Sequence, residues 1–211
     1  MIRIHVIGDG DGDRDGATVP ALISNLLGME VEGTFFPWNS PPESKGRKLR
    51  MNTRGGYAKK IAFAIERARH DRAAGLVAVV DRDVEPTGDR LDSLRLGRES
   101  DRQVRAPIPT AIGEAVPHGE AWLLDDRVAV RDSLYLEDRD LHAIDESNPK
   151  SALDALIRAS SRREEPHLDV LHDIAGRVDR SRSPNAARTG FAPLADQVRH
   201  EFRDLAKSSP R

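Results

Sequence analysis

The chain has 211 residues, 38% hydrophobic and 32% charged, which suits one medium domain carrying a helical appendage. Its 33 Lys and Arg are offset by 35 Asp and Glu, leaving a net charge of -2, so any basic surface must be local. With no cysteine, no signal-like N-terminus and no run near the roughly 18 apolar residues that span a bilayer, disulfide scaffolds, thiol nucleophiles, cysteine-bound zinc and membrane spans are all excluded; a soluble, cytoplasmic protein is expected.

Ile2, Ile4 and Val6 alternate with Arg3 and His5 and predict a first strand that stops at Gly8. Next comes Asp9-Gly10-Asp11-Gly12-Asp13-Arg14-Asp15-Gly16, a flexible acidic loop. Val19, Leu22, Ile23, Leu26 and Leu27 then fall at helical spacing, with Thr18 as N-cap and Pro20 in the first turn. Asp11-x-Asp13-x-Asp15-Gly16 also matches the first half of an EF-hand loop. Leu22 stands where that loop needs a bidentate Glu, however, and a strand precedes it in place of a helix. A solvated turn with one functional carboxylate fits better.

Val31 to Trp38 predicts a second strand, and Pro41 to Arg54 a basic loop. Between Arg47 and Arg72, nine Lys and Arg stand against two acids, partly on a helix striped by Ala58, Ile61, Ala62, Ile65 and Ala68. This stretch reads either as a solvated helix face or as a phosphate-contact surface. The candidates on the second reading are Lys48, Arg50, Arg54, Lys59 and Lys60, with Tyr57 placed to stack on a base.

Leu76 to Val80 is a short, wholly apolar run ending in Asp81-Arg82-Asp83. Such a run predicts a strand buried on both faces in the middle of a parallel sheet, and an α/β fold with it. Ligands in these sheets sit at the carboxyl ends of the strands. Residues i and i+2 of a strand point the same way, so Asp81 and Asp83 can converge. Two carboxylates at about 4 Å repel by a few kcal/mol, which a divalent cation relieves. The alternative is a solvated Asp-rich turn.

Downstream, Arg90 to Leu96 predicts a short helix, and Val104 to Pro109 a strand that Pro107 and Pro109 confine to an edge. In Val116 to Asp126 a glutamate, Glu120, enters an apolar segment and Asp125 and Asp126 leave it; Glu120 also suits a helix start. Asn148-Pro149 signals a helix entry before Leu153, Leu156 and Ile157. Further helices are predicted over His167 to Val178 and along Leu194, Val198, Phe202 and Leu205, with a loop over Arg180 to Arg188. This divides the chain into an α/β part, residues 1–146, and a helical C-terminal extension, 147–211, packed on the same domain. The seven histidines show no pair at metal-ligand spacing, and none is given a role.

The order Asp9, Asp81-x-Asp83, then Glu120 with Asp125, resembles the Toprim domain shared by topoisomerases, primases and OLD-family nucleases. Glu120-Ala121-Trp122-Leu123-Leu124-Asp125 and Asn148-Pro149-Lys150 are similar to motifs of small bacterial Toprim-like proteins related to the OLD family, with Asn148 in place of Asp. The chain departs from that pattern at Gly8-Asp9-Gly10, where Gly-Glu-Gly is usual; Asp11 and Asp13 are alternative carboxylates on the same loop. The resemblance implies a mostly parallel Toprim-like sheet and a Mg2+-dependent nuclease or phosphohydrolase acting on nucleic-acid phosphodiesters, with Mn2+ as a substitute, in defence or repair. It implies Asp81, Asp83 and Asp125 as metal ligands, Asp9 and Glu120 as catalytic residues, and Lys150 as a family-like position. The alternative it leaves open is a catalytically weak interaction module working with a partner ATPase; a homodimer is compatible with either.

Overall fold

In the computed structural model, which describes residues 1–9, 13–38, 56–82, 88–141 and 147–208, the apolar strands assemble into one parallel sheet. Its strands are β1 (Ile2–Gly8), β2 (Val31–Pro37), β3 (Gly75–Asp81) and β4 (Thr110–Ala115), in the order β2-β1-β3-β4. The fold is thus α/β, with an all-parallel sheet flanked by helices. β3 lies between β1 and β4, and Gly75 to Val80 are all buried, as the run predicts. Val77 and Val79 pack into one core, while Leu76, Ala78 and Val80 pack into a second on the opposite face. Each buried Val or Leu contributes on the order of 2 kcal/mol.

Helix α1 (Asp13–Leu27) covers the first face; α2 (Gly56–His70) and α3 (Gly88–Val104) cover the second. Right-handed crossovers require this split, because the chain moves outward from β1 to β2 and then returns past β1 to β3. The strand order therefore reverses between β1 and β3, and in such sheets that is where a ligand crevice opens.

The remaining helices are α4 (Glu120–Asp125), α5 (Arg127–Leu134), α6 (Pro149–Ala159), α7 (His167–Arg177), α8 (Phe191–Glu201) and α9 (Arg203–Ser208). Asn148 caps α6 as predicted, its side chain accepting the Ser151 N–H at 3.1 Å. Val170, Leu171 and Ile174 of α7 and Leu194 and Val198 of α8 join the core that holds α1. Among the described residues, no helix is long and apolar enough to cross a membrane.

Four boundaries differ from expectation. α1 begins at Asp13, so the end of the acidic stretch is helical, where carboxylates complement the helix dipole. Thr18 is consequently inside the helix, its hydroxyl donating to the Arg14 carbonyl at 2.9 Å, and Pro20 lies beyond the first turn. The predicted Arg90–Leu96 helix extends to the 17 residues of α3. No strand forms over Val104–Pro109: Pro107 and Pro109 lack an N–H, and the ladder starts only at Thr110. The last helix breaks at Phe202, whose fully buried ring packs against Gly75.

The outer edge of β4 is sealed by side chains. The Gln197 amide donates to the Ile112 carbonyl at 2.7 Å and accepts its N–H at 3.2 Å. Arg98 donates to the Thr110 carbonyl at 3.1 Å, and Glu201 accepts the Thr110 N–H at 3.4 Å. Gly190, at φ +83°, lies so close to the Glu114 carbonyl that a Cβ there would sit 1.8 Å from its oxygen.

Candidate functional site

Two adjacent parallel strands end in carboxylates at the reversal of strand order. Asp9 follows β1, and its Oδ2 accepts the backbone N–H of Asp81, the last residue of β3, at 3.0 Å. The Asp81 Oδ2 lies 3.5 Å from Nδ1 of His118, in the connection after β4. These contacts bring the ends of three strands to one point.

One wall of this cleft is cationic and aromatic. Arg90 of α3 places Nη1 4.0 Å from Asp9 Oδ2. Its guanidinium lies 5.7 Å from the centre of the Tyr57 ring, and Lys60 Nζ lies 5.0 Å from the same centre. The edge of Trp38 completes the packing at 5.4 Å. Burial, and then the negative charge of Asp9, push the Tyr57 hydroxyl above its ordinary pKa. The first turn of α2 therefore faces Asp9, and Lys59 beside it is exposed.

On the other side, Arg14 of α1 binds Glu120 at 3.1 Å and Asp154 of α6 at 3.0 Å. Burial opposes the Arg14 charge, but these two carboxylates more than offset it and raise its pKa. His167 Nε2 lies 3.2 Å from Asp154. Asp15 fills the gap between the end of β1 and the start of α4. A Cβ on Gly8 would lie 2.7 Å from its Oδ2, and one on Gly119 would lie 3.7 Å from its Oδ1.

Of the expected site residues, Asp9 and Asp81 are together, and Glu120 starts the neighbouring helix with its carboxylate on Arg14. Asp125 has other partners: it is buried and accepts the backbone N–H and the side-chain Nδ2 of Asn185, each at 3.0 Å. Five residues of helix separate it from Glu120 by about 140° around the axis, so the two carboxylates cannot face one point. Lys150 is exposed on the first turn of α6. Asp83, Asp11, Lys48, Arg50 and Arg54 lie outside the described residues, and Asp13 opens α1. Among the described residues, no group of three or more His, Asp or Glu is gathered as a metal site. Arg14, Arg90 and His118 carry no motif that marks them in the sequence. The only signal for them is their place beside strand ends, which becomes specific once the strand order is known.

Comparison with protein-family models, with curated proteins and with solved structures returns no match in any of the three.

Proposed function

We propose that this cleft hydrolyses nucleic-acid phosphodiesters with a divalent cation, Mg2+ or Mn2+, held by Asp81 and Asp83, with Asp9 beside it. The observation that supports the reading most is the bond from the Asp81 N–H to Asp9, which holds the Asp9 carboxylate against the end of the adjacent strand that carries Asp81. Two carboxylates suit Mg2+, which keeps several waters and takes few protein ligands. When bound, the cation would neutralise charge developing on the non-bridging phosphate oxygens. Asp9 acts as the base that takes a proton from the attacking water. His118 holds the Asp81 carboxylate in place. Arg90 and Lys60, steadied on the Tyr57 ring, present positive charge to the phosphate, and Lys59 extends that wall along the strand. Arg14 orients Glu120 at the rim.

Cation binding is tested by thermal melting with and without millimolar Mg2+ or Mn2+. Saturation about tenfold above Kd adds about 1.4 kcal/mol, which is about 3–6 °C for a chain of this size. The Asp81→Asn, Asp83→Asn double variant should lose that shift, and an equal shift in both proteins rejects the site. Cleavage of plasmid DNA or RNA in the same buffers, abolished by Asp9→Ala, tests the chemistry.

The ion pair between Arg14 and Glu120 favours a second reading, a non-catalytic Toprim-like module that serves a partner ATPase. A metal-dependent melting shift without cleavage of any nucleic acid, together with co-purification of an ATPase, selects it.

A further inference from the structure

The connection after β4 has two sides. His118 meets Asp81 on one, while on the other Val116 and Pro117 wall a separate cavity of about 540 Å3, within the range of small-molecule sites. Arg127, Arg182 and Arg188 stand around this cavity against one carboxylate, Asp125, whose oxygens accept hydrogen bonds from Asn185. Arg182 is fixed in place: its Nε and Nη2 donate to Oδ2 of the fully buried Asp126 at 3.0 and 2.9 Å, and Nη2 also donates to the Arg177 carbonyl at 2.7 Å. The rest of the wall is largely apolar, from Pro117, Leu124, Val128 and Pro149. Guanidinium groups prefer phosphate and carboxylate, and the apolar surface asks for a flat, poorly hydrated body on the same ligand.

We propose that this cavity binds a nucleotide, with its phosphate on Arg127 and Arg188 and its base against Pro117 and Leu124. The choice of a nucleotide over another organic phosphate rests on the reading of the neighbouring cleft, since Pro117 of the cavity and His118 of the cleft are consecutive residues. The nucleotide has two sources. It is a free mononucleotide, or it is one unit of a strand whose scissile phosphodiester lies at Asp81.

The test is calorimetric titration of the full chain with adenosine monophosphate, inorganic phosphate and a short single-stranded thymidine oligonucleotide. The wild type should bind the monophosphate or the oligonucleotide at least roughly tenfold more tightly than phosphate. Arg188→Glu should weaken that binding roughly tenfold or more at an unchanged melting temperature, whereas Arg3→Glu, at the opposite end of β1, should not. Binding of the monophosphate identifies a free nucleotide as the source; binding of the oligonucleotide alone identifies a strand. Equal affinity for phosphate, no binding of either nucleotide, or binding indifferent to Arg188→Glu overturns the proposal. The melting test separates the two readings: if the wild type shows no Mg2+- or Mn2+-dependent shift, or Asp81→Asn keeps it in full, while the monophosphate still binds, the cleft reading falls and the cavity stands.

Discussion

His5 is the residue whose chemistry conflicts most with its surroundings. It is a buried strand residue, 2% exposed, with Nε2 3.5 Å from Asp71 Oδ2, a carboxylate that Arg67 and His70 already share. Burial, aided by Arg67 and Arg3, holds its pKa below the ordinary 6.5, with Asp71 opposing. A depressed histidine contributes stability above 6.5 that is lost as pH falls below it, because the unfolded chain takes the proton first. The melting temperature should therefore drop as pH falls below about 6.5, and His5→Gln should flatten that drop; parallel curves would show that His5 is not its source. Asp126 is a second test. It is fully buried and accepts hydrogen bonds from Arg182, from the Asp179 N–H at 2.7 Å and from the Ala129 N–H at 3.0 Å. Asp126→Ala orphans all of these and should cost about 3 kcal/mol in urea unfolding, at the low end for a buried pair because Arg182 is half in water. A loss under about 1 kcal/mol would mean water replaces it. Asp9 and Asp81 are legible in the sequence because a strand end and an i, i+2 spacing are local facts. Arg14 is not, since its partners, Glu120 and Asp154, lie more than a hundred residues away.

At the scale of elements, strong local signals carry through and compact ones do not. The apolar run of β3 and the Asn148-Pro149 start of α6 are both visible. β4, Thr-Ala-Ile-Gly-Glu-Ala, has a composition that packing dictates: a Cβ on Gly113 would lie 2.9 Å from Leu194 Cδ1, so α8 lies directly on the strand. No propensity expresses that need. Gly97 plays the same part between α2 and α3. A Cβ there would fall 2.3 Å from the Ala58 carbonyl oxygen, which is backbone and cannot swing aside. Gly97→Ala would gain about 1 kcal/mol of helix propensity in an open helix. Here it should instead destabilise by about 1–3 kcal/mol, as overpacking does. A stabilised variant in chemical denaturation would show that the two helices are free to part.

For the whole molecule, a net charge of -2 conceals a dipolar arrangement, with carboxylates at the strand ends and a basic wall beside them on α2 and α3. If this wall holds a nucleic-acid backbone, Lys59→Ala and Lys60→Ala together should weaken binding of any sequence and reduce the salt slope by about 2, roughly one for each phosphate that is no longer neutralised. An unchanged slope would place the backbone elsewhere. The seal along β4 has a consequence for biosynthesis. Gln197 and Glu201 are made more than eighty residues after the strand they cover, so β4 emerges from the ribosome with an open row of hydrogen-bonding groups. Until α8 follows, a nascent chain is exposed to pairing with its neighbours on the same message. A polar clasp of the finished protein would then also set its yield. Gln197→Ala, which leaves the N–H and carbonyl of buried Ile112 without that amide, should lower the melting temperature by about 2–12 °C and also shift product into inclusion bodies at high expression.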